Sequence, residues 1–438
     1  MAILSKDEAR ELMEKVIRLS NADHCEVNVS GNEGGNIRYA RNTVSTSGEE
    51  QNTSLSVSSS YGSKTGSSSV NEFDDASLEK VVRRSEELAQ LAPENPEFME
   101  PLGPQEYKES KSYFESTAAI TPEYRAEAAA NSINPSTNNG LVSAGFLEDS
   151  VGFEAIMNKK GLFAYNQSSS VDFSVTMRTQ SGMGSGWVSR DYNDVDLMDT
   201  ASASQIAIQK AIDSEDAVAL EPGRYTVILE PDASVGLLQN MFYRMGARQA
   251  DEGRSFLSKS GEGTRLGEQM FDERVTIHSD PFDENVPRAP WTGSGLPVEK
   301  TTWIENGVVK NLSYSRFWAD KNEVDPLPGP VNAIMTGGEK STEDLIRETE
   351  RGILVTRSWY IRMVDPQSLL LTGLTRDGTF YIENGEIQHA VKNFRFNESP
   401  VIMLNNIEEL GKPVRCNGNM IPPMKIRDFT FSSLSDAV

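Results

Sequence analysis

The sequence predicts an α+β protein: an N-terminal α/β domain with an antiparallel sheet, then a β-rich C-terminal domain carrying a packed helix. Three observations predict it. Helical periodicity flanks a polar strand meander in the first half. A Pro-Gly turn, Glu221-Pro222-Gly223, marks a change of texture near the middle. Two Asn-Gly pairs between β-formers, Asn306-Gly307 and Asn384-Gly385, read as type I′ hairpins in the second half. With 438 residues the chain is too long for one ordinary core, and its domains are expected at 1–220 and 221–438.

Residues 5–20 begin with Asp7 and Glu8 and set Ala9, Leu12, Val16 and Leu19 at helical spacing. Residues 25–30, 38–40 and 53–57 alternate as strands, separated by Gly, Asn and Ser turns. The Ser/Gly-rich stretch 58–69 reads as a polar hairpin tip, because Val70 and a helix over 76–91 follow at once. Residues 92–107, rich in Pro and Glu, predict a surface loop. Residues 121–133 are helical, with Pro122 in the first turn where its missing N–H costs nothing. Short strands are expected around Phe146, 151–153, 162–164 and 171–175, then the glycine-rich segment 182–187 (GMGSGW) and a helix over 203–211. Past the boundary, a strand at 225–229 runs through Pro231-Asp232 into a helix over 233–245.

Composition narrows the function classes. Hydrophobic residues at 37% and charged residues at 24% fit a soluble globular protein. Against 42 basic residues stand 65 acidic ones, a net charge of −23. Such a surface repels phosphate backbones and anionic membrane and shows no basic stripe to reverse the effect. The plainer meaning of that charge is solubility. The first residues lack a basic and then apolar signal pattern, and no run of about 18 apolar residues occurs. Two cysteines, Cys25 and Cys416, argue for a reducing compartment without disulfides. A cytoplasmic protein is expected.

Motifs alone do not declare an enzyme. Zinc hydrolysis needs neighbouring ligands and a carboxylate to take a proton from bound water. The three histidines, His24, His278 and His389, lie more than a hundred residues apart, and none has another histidine within helical reach. His24 and Glu26 would share a strand face while Cys25 points away. No GxSxG elbow occurs, and Ser185 sits one position off that pattern. The N–H groups of 182–186 would suit an anion nest, although the segment lacks the strand-before, helix-after context of a nucleotide loop. Residues 62–66 (GSKTG) lack the spacing of a phosphate-binding loop.

A resemblance adds to this reading. Residues 225–245 (YTVILEPDASVGLLQNMFYRM), 275–281 (VTIHSDP), 301–312 (TTWIENGVVKNL), 337–346 and 374–398 resemble, in order, segments of the TldD/PmbA family. In the first half, 38–42 and Gly184-Ser185-Gly186 also sit where the family carries like residues. One branch of the family carries His-Glu-x-x-x-His on the helix after the first strand of the second half and is a zinc peptidase. Laying Leu237-Leu238 on the leucines before that motif puts Gln239, Asn240 and Arg244 in its three positions. Amides are poor zinc ligands and poor bases, and arginine places a fixed cation where a dication would sit. Cys416 lies nearer a cysteine of the metal-free branch than the metal-ligand cysteine. The resemblance therefore implies the PmbA, or TldE, branch, without catalytic residues or metal of its own.

Three function classes follow as expectations. The first is a non-catalytic subunit that pairs with a zinc-bearing TldD-like chain, or with itself, and helps bind flexible peptides or unfolded proteins. Zinc is then expected only in the other subunit. The second is an independent hydrolase using His278 or His389. The third is a regulatory protein-binding module, in keeping with the family's historical label of modulator of DNA gyrase. A charge of −23 favours a protein target over DNA.

Overall fold

The computed structural model describes residues 3–261 and 263–435. The first half is built on one six-stranded antiparallel sheet of order β3-β2-β1-β4-β5-β6. Its strands are β1 (His24–Ala40), β2 (Thr43–Tyr61), β3 (Lys64–Val70), β4 (Val142–Asn158), β5 (Phe163–Arg178) and β6 (Ser185–Tyr192). Helices α1 (Lys6–Leu19), α2 (Asp75–Leu91), α3 (Glu115–Ala118), α4 (Pro122–Asn138) and α5 (Thr200–Asp213) accompany it.

Strict alternation explains the layering. Odd positions of β1 (Cys25, Val27, Val29, Ile37, Tyr39) are buried, while even positions are polar. α1 and α2 cover one end of that apolar face, packing Met13, Val16, Leu78 and Val82 on Cys25, Val27, Val57 and Phe153. α4 and α5 cover the other end, with Ala128, Ala207 and Ile208 on Ile37, Tyr39, Leu147 and Phe173.

The sheet is longer-stranded than the sequence predicts. The short strands expected between 146 and 175 are pieces of two strands of 17 and 16 residues. Likewise, 25–30 and 38–40 join through the GNEGG stretch into one strand. Those glycines mark close approach within the sheet rather than a turn. A Cβ at Gly34 would run into the Asp149 carbonyl, and one at Gly35 into the Arg125 guanidinium.

The second half carries two sheets around a central helix. In the larger, β7 (Arg224–Leu229) pairs parallel with Arg351–Val355 and antiparallel with Met424–Leu434. The smaller includes Ile277–Ser279, Thr301–Glu305, Val414–Cys416 and Asn419–Ile421. Helix α6 (Pro231–Phe242) sits between them, its Leu237, Leu238 and Met241 fully buried in one core with Ile277, Trp303, Phe394 and Ile426. Both expected hairpins form, with Asn306-Gly307 at φ 48° and 79° and Asn384-Gly385 at 54° and 80°, as a type I′ turn demands. The α+β class and the packed helix are thus as the sequence reads. Among the described residues, no helix is long and apolar enough to cross a membrane.

Candidate functional site

The site is the half-buried side of α6 and the strand ends around it. α6 begins where Pro231, lacking an N–H, takes the first helical position. Glu230 just before it pairs with Lys210 of α5 at 2.7 Å. Asp232, in the first turn, accepts from the Cys416 thiol at 3.2 Å and the Ser189 hydroxyl of β6 at 3.3 Å. Burial raises the Asp232 carboxyl, although the Cys416 contact and the charges of Lys210 and Arg190 oppose the shift. The thiol of Cys416 is pushed well up, first by burial and then by the negative charge of Asp232.

A third Asn-Gly turn delivers Cys416 to this place. Asn417 and Gly418 take φ of 49° and 66° between the strands Val414–Cys416 and Asn419–Ile421. Asp191 of β6 anchors the turn, accepting from Gly418 N–H at 2.8 Å and Arg415 Nε at 3.0 Å. The hairpin thereby joins the N-terminal sheet to α6.

The three positions singled out in the sequence lie at the far end of α6. Gln239 faces the hairpin, its Oε1 accepting from Asn417 Nδ2 at 3.4 Å. Asn240 turns back along the helix and donates to the Gly236 carbonyl at 2.9 Å. The helix expected to reach Met245 ends at Phe242, because Arg244 and Met245 N–H bond only three residues back and Gly246 is extended. Arg244 therefore lies just past the helix, and its Nη1 donates to Asn240 O at 2.9 Å and Asn240 Oδ1 at 3.3 Å. A cation there complements the negative C-terminal end of the helix dipole. The fold brings Asn240 and Arg244 together and turns Gln239 toward the hairpin.

This set does not fit zinc. Two amides engaged with carbonyl and amide groups, beside a guanidinium, leave no anionic or imidazole donor. Among the described residues, no three His, Cys, Asp or Glu side chains converge to hold a metal ion. The histidines are dispersed: His24 lies against Phe98, His278 on the short strand Ile277–Ser279, and His389 stacks on Tyr381 at 5.4 Å.

The glycine-rich segment is not an anion nest. Gly182 N–H donates to Thr179 O, Met183 N–H to the Ser181 hydroxyl, Gly184 N–H to Thr179 Oγ1, and Ser185 N–H to the Ser214 hydroxyl. With those donors satisfied internally, none is left for a ligand. The glycines serve packing instead. A Cβ at Gly184 or Gly186 would collide with the Ala211 or Ala207 carbonyl of α5.

Sequence reasoning missed Asp232, Ser189, Asp191 and Arg415 as members of one cluster. The available signal was Asn417-Gly418, whose polar flanks hide the hairpin.

Comparison with known proteins covers most of the chain. Domain 1, the central domain and the C-terminal domain of the PmbA/TldA metallopeptidases match residues 25–89, 118–215 and 222–433. A metalloprotease of Methanothermobacter thermautotrophicus is 24% identical over 44% of this chain and 44% of its own length. The metalloprotease PmbA of Escherichia coli O157:H7 is 24% identical over 46% of this chain and 45% of its own. These alignments thus span less than half of either relative. The crystal structure of TldE from Thermococcus kodakarensis superposes with a TM-score of 0.88 over 96% of this chain and 100% of that one, at 17% identity, and so shares the fold.

Proposed function

The chain belongs to the PmbA/TldA metallopeptidase family, and from that premise we propose that it is a non-catalytic subunit of a family peptidase. In this reading it pairs with a zinc-bearing TldD-like chain, or with a second copy of itself, and helps hold a flexible peptide or unfolded segment for cleavage elsewhere. The chain itself needs no cofactor. One observation carries the proposal: Arg244 closes on Asn240, so a guanidinium and two amides stand where the family resemblance places the metal-binding triad. A fixed cation there opposes a dication and supplies no general base.

The fold supports a binding role independently of chemistry. Extended peptides are recognised tolerantly when their main chain adds to a strand edge, and two long strands of this chain have uncovered stretches: β3 covers β2 only from Leu55 on, and β6 covers β5 only from Val171 on.

Elemental analysis of the purified chain after a weak-chelator wash tests the proposal. Zinc well below one per chain is expected, with peptidase activity arising only when a chain bearing His-Glu-x-x-x-His is added. One firmly held zinc per chain, or peptide cleavage by the lone chain that is lost on His278→Ala or His389→Ala, would transfer the reading to an independent hydrolase.

A further inference from the structure

In a chain with 65 acidic residues, four cations line one cleft of about 830 Å³, walled by the N-terminal half and, at Pro290, by the second. Lys6 and Arg10 come from α1, and Lys108 and Lys111 from the extended segment between α2 and α3. Lys108 pairs with Glu299 at 2.6 Å. Lys6, Arg10 and Lys111 form no ion pair among the described residues, although Arg10 lies over the Phe163 ring at 4.4 Å. Glu109 is the one acid in the described wall, which Tyr113 and Tyr165 make partly aromatic.

The floor of this cleft is an open strand edge. β6 covers β5 only from Val171 to Arg178, so the start of β5 has a neighbour on one side alone. Ser112 closes the far end, its carbonyl taking Ser169 N–H at 2.9 Å and its hydroxyl donating to Gln167 O at 2.7 Å. Main-chain groups alternate sides along an antiparallel strand. With Ser169 and Gln167 pointing outward, Tyr165 and Phe163 must present theirs to the same side. Among the described residues their outward groups carry no hydrogen bond.

We propose that this cleft binds an extended acidic peptide as an added strand on the free edge of β5. Main-chain bonds to Phe163 and Tyr165, and to the Gln167 N–H beside the carbonyl that Ser112 occupies, would set its register, and its carboxylates would meet Lys6, Arg10 and Lys111. The overall charge of −23 does not forbid this. At physiological salt, charges more than about 8 Å away are largely screened, and in the lining itself four cations face one acid, Glu109, with Glu8 beside Tyr165 and Glu115 beside Tyr113. The cleft shares no residue with the α6 site, so peptide binding there is independent of whether α6 holds a metal.

Fluorescence anisotropy on the full chain tests it with three labelled decapeptides. One alternates Glu and Val, one alternates Lys and Val, and the third is the Glu-Val peptide N-methylated at every second residue. Only the unmethylated acidic peptide should bind, and the double variant Lys6→Glu/Lys111→Glu should weaken it by about tenfold or more. Lys80→Glu, on the exposed side of α2, should leave binding unchanged. Equal binding of the lysine or methylated peptide overturns the proposal, as does an unaltered affinity in the double variant or no binding at millimolar peptide. Concentration-dependent self-association of the wild-type chain, abolished by the double variant, would assign the cleft to a second copy and overturn a free-peptide role.

Discussion

Cys416 donates its thiol to Asp232 from a position only 5% exposed, and that contact governs how the sulfur reacts. The thiolate is the nucleophile, and here burial and the neighbouring carboxylate both disfavour it. Cys25, fully buried, is raised by burial as well. Iodoacetamide at pH 8 should therefore modify the folded chain far more slowly than the urea-unfolded chain. Asp232→Asn should accelerate labelling of Cys416 but not of Cys25, read by peptide mass spectrometry. Equal rates in the variant and the parent would mean that access alone controls the thiol. At this scale the sequence shows identities but not partners. Gln239, Asn240 and Arg244 are readable as departures from a motif, yet that Arg244 caps the helix on Asn240 depends on where α6 ends. Backbone geometry at Tyr243 decides that, and helix ends are the least legible feature of a pattern.

The elements were legible in kind and illegible in extent. Two Asn-Gly turns were visible because β-formers flank them, whereas Asn417-Gly418, between Arg415-Cys416 and Asn419-Met420, lacks that frame and was missed. Glycines misled for a related reason: they permit turns, but they also permit contact. In β1 they let β4 and α4 approach, and in β6 they let α5 lie on the strand. Gly186→Val should therefore be among the more damaging single changes in the N-terminal half. Its side chain would meet the Ala207 carbonyl, and overpacking of this kind costs roughly 1–3 kcal/mol. The urea midpoint should fall, while Gly103→Val, at a position with nothing near the added Cβ, should leave it unchanged. The first half of β2 poses the opposite problem. Residues 43–52 are almost wholly exposed beside β1, with no strand on their outer side, and Glu49 and Glu50 keep that edge charged. Glu50→Val should raise concentration-dependent light scattering of the folded chain.

Across the whole molecule, the charge of −23 was plain from the sequence, but which carboxylates are desolvated was not. The outer edge of Asp172 meets solvent, yet the surrounding protein desolvates its carboxyl and, with Asp191 and Glu148 close by, pushes it up to about 6. Burial also raises Glu26, Glu154, Asp232 and Glu398. An acid whose folded pKa exceeds its unfolded value binds more protons when folded, so its contribution to stability is present below the unfolded value and lost as pH rises through the folded one. Glu97, Glu252 and Asp272 work the other way, held below their ordinary values by bonds to Arg248, Arg254 and Arg274. Their contribution is lost as pH falls below the ordinary carboxylate range of 3.8 to 4.5. The urea midpoint should therefore climb as pH falls from 7 toward 5, then drop below about 4. Relief of general repulsion among 65 acids acts in the same direction over the first interval, and salt separates the two. At 1 M the screening length is about 3 Å, which suppresses long-range repulsion but leaves desolvation in place. A climb that survives 1 M salt and shrinks in Asp172→Asn belongs to the desolvated carboxyls. A climb that vanishes in salt would place the acid stabilisation in surface charge, and the raised carboxyls would have no part in it.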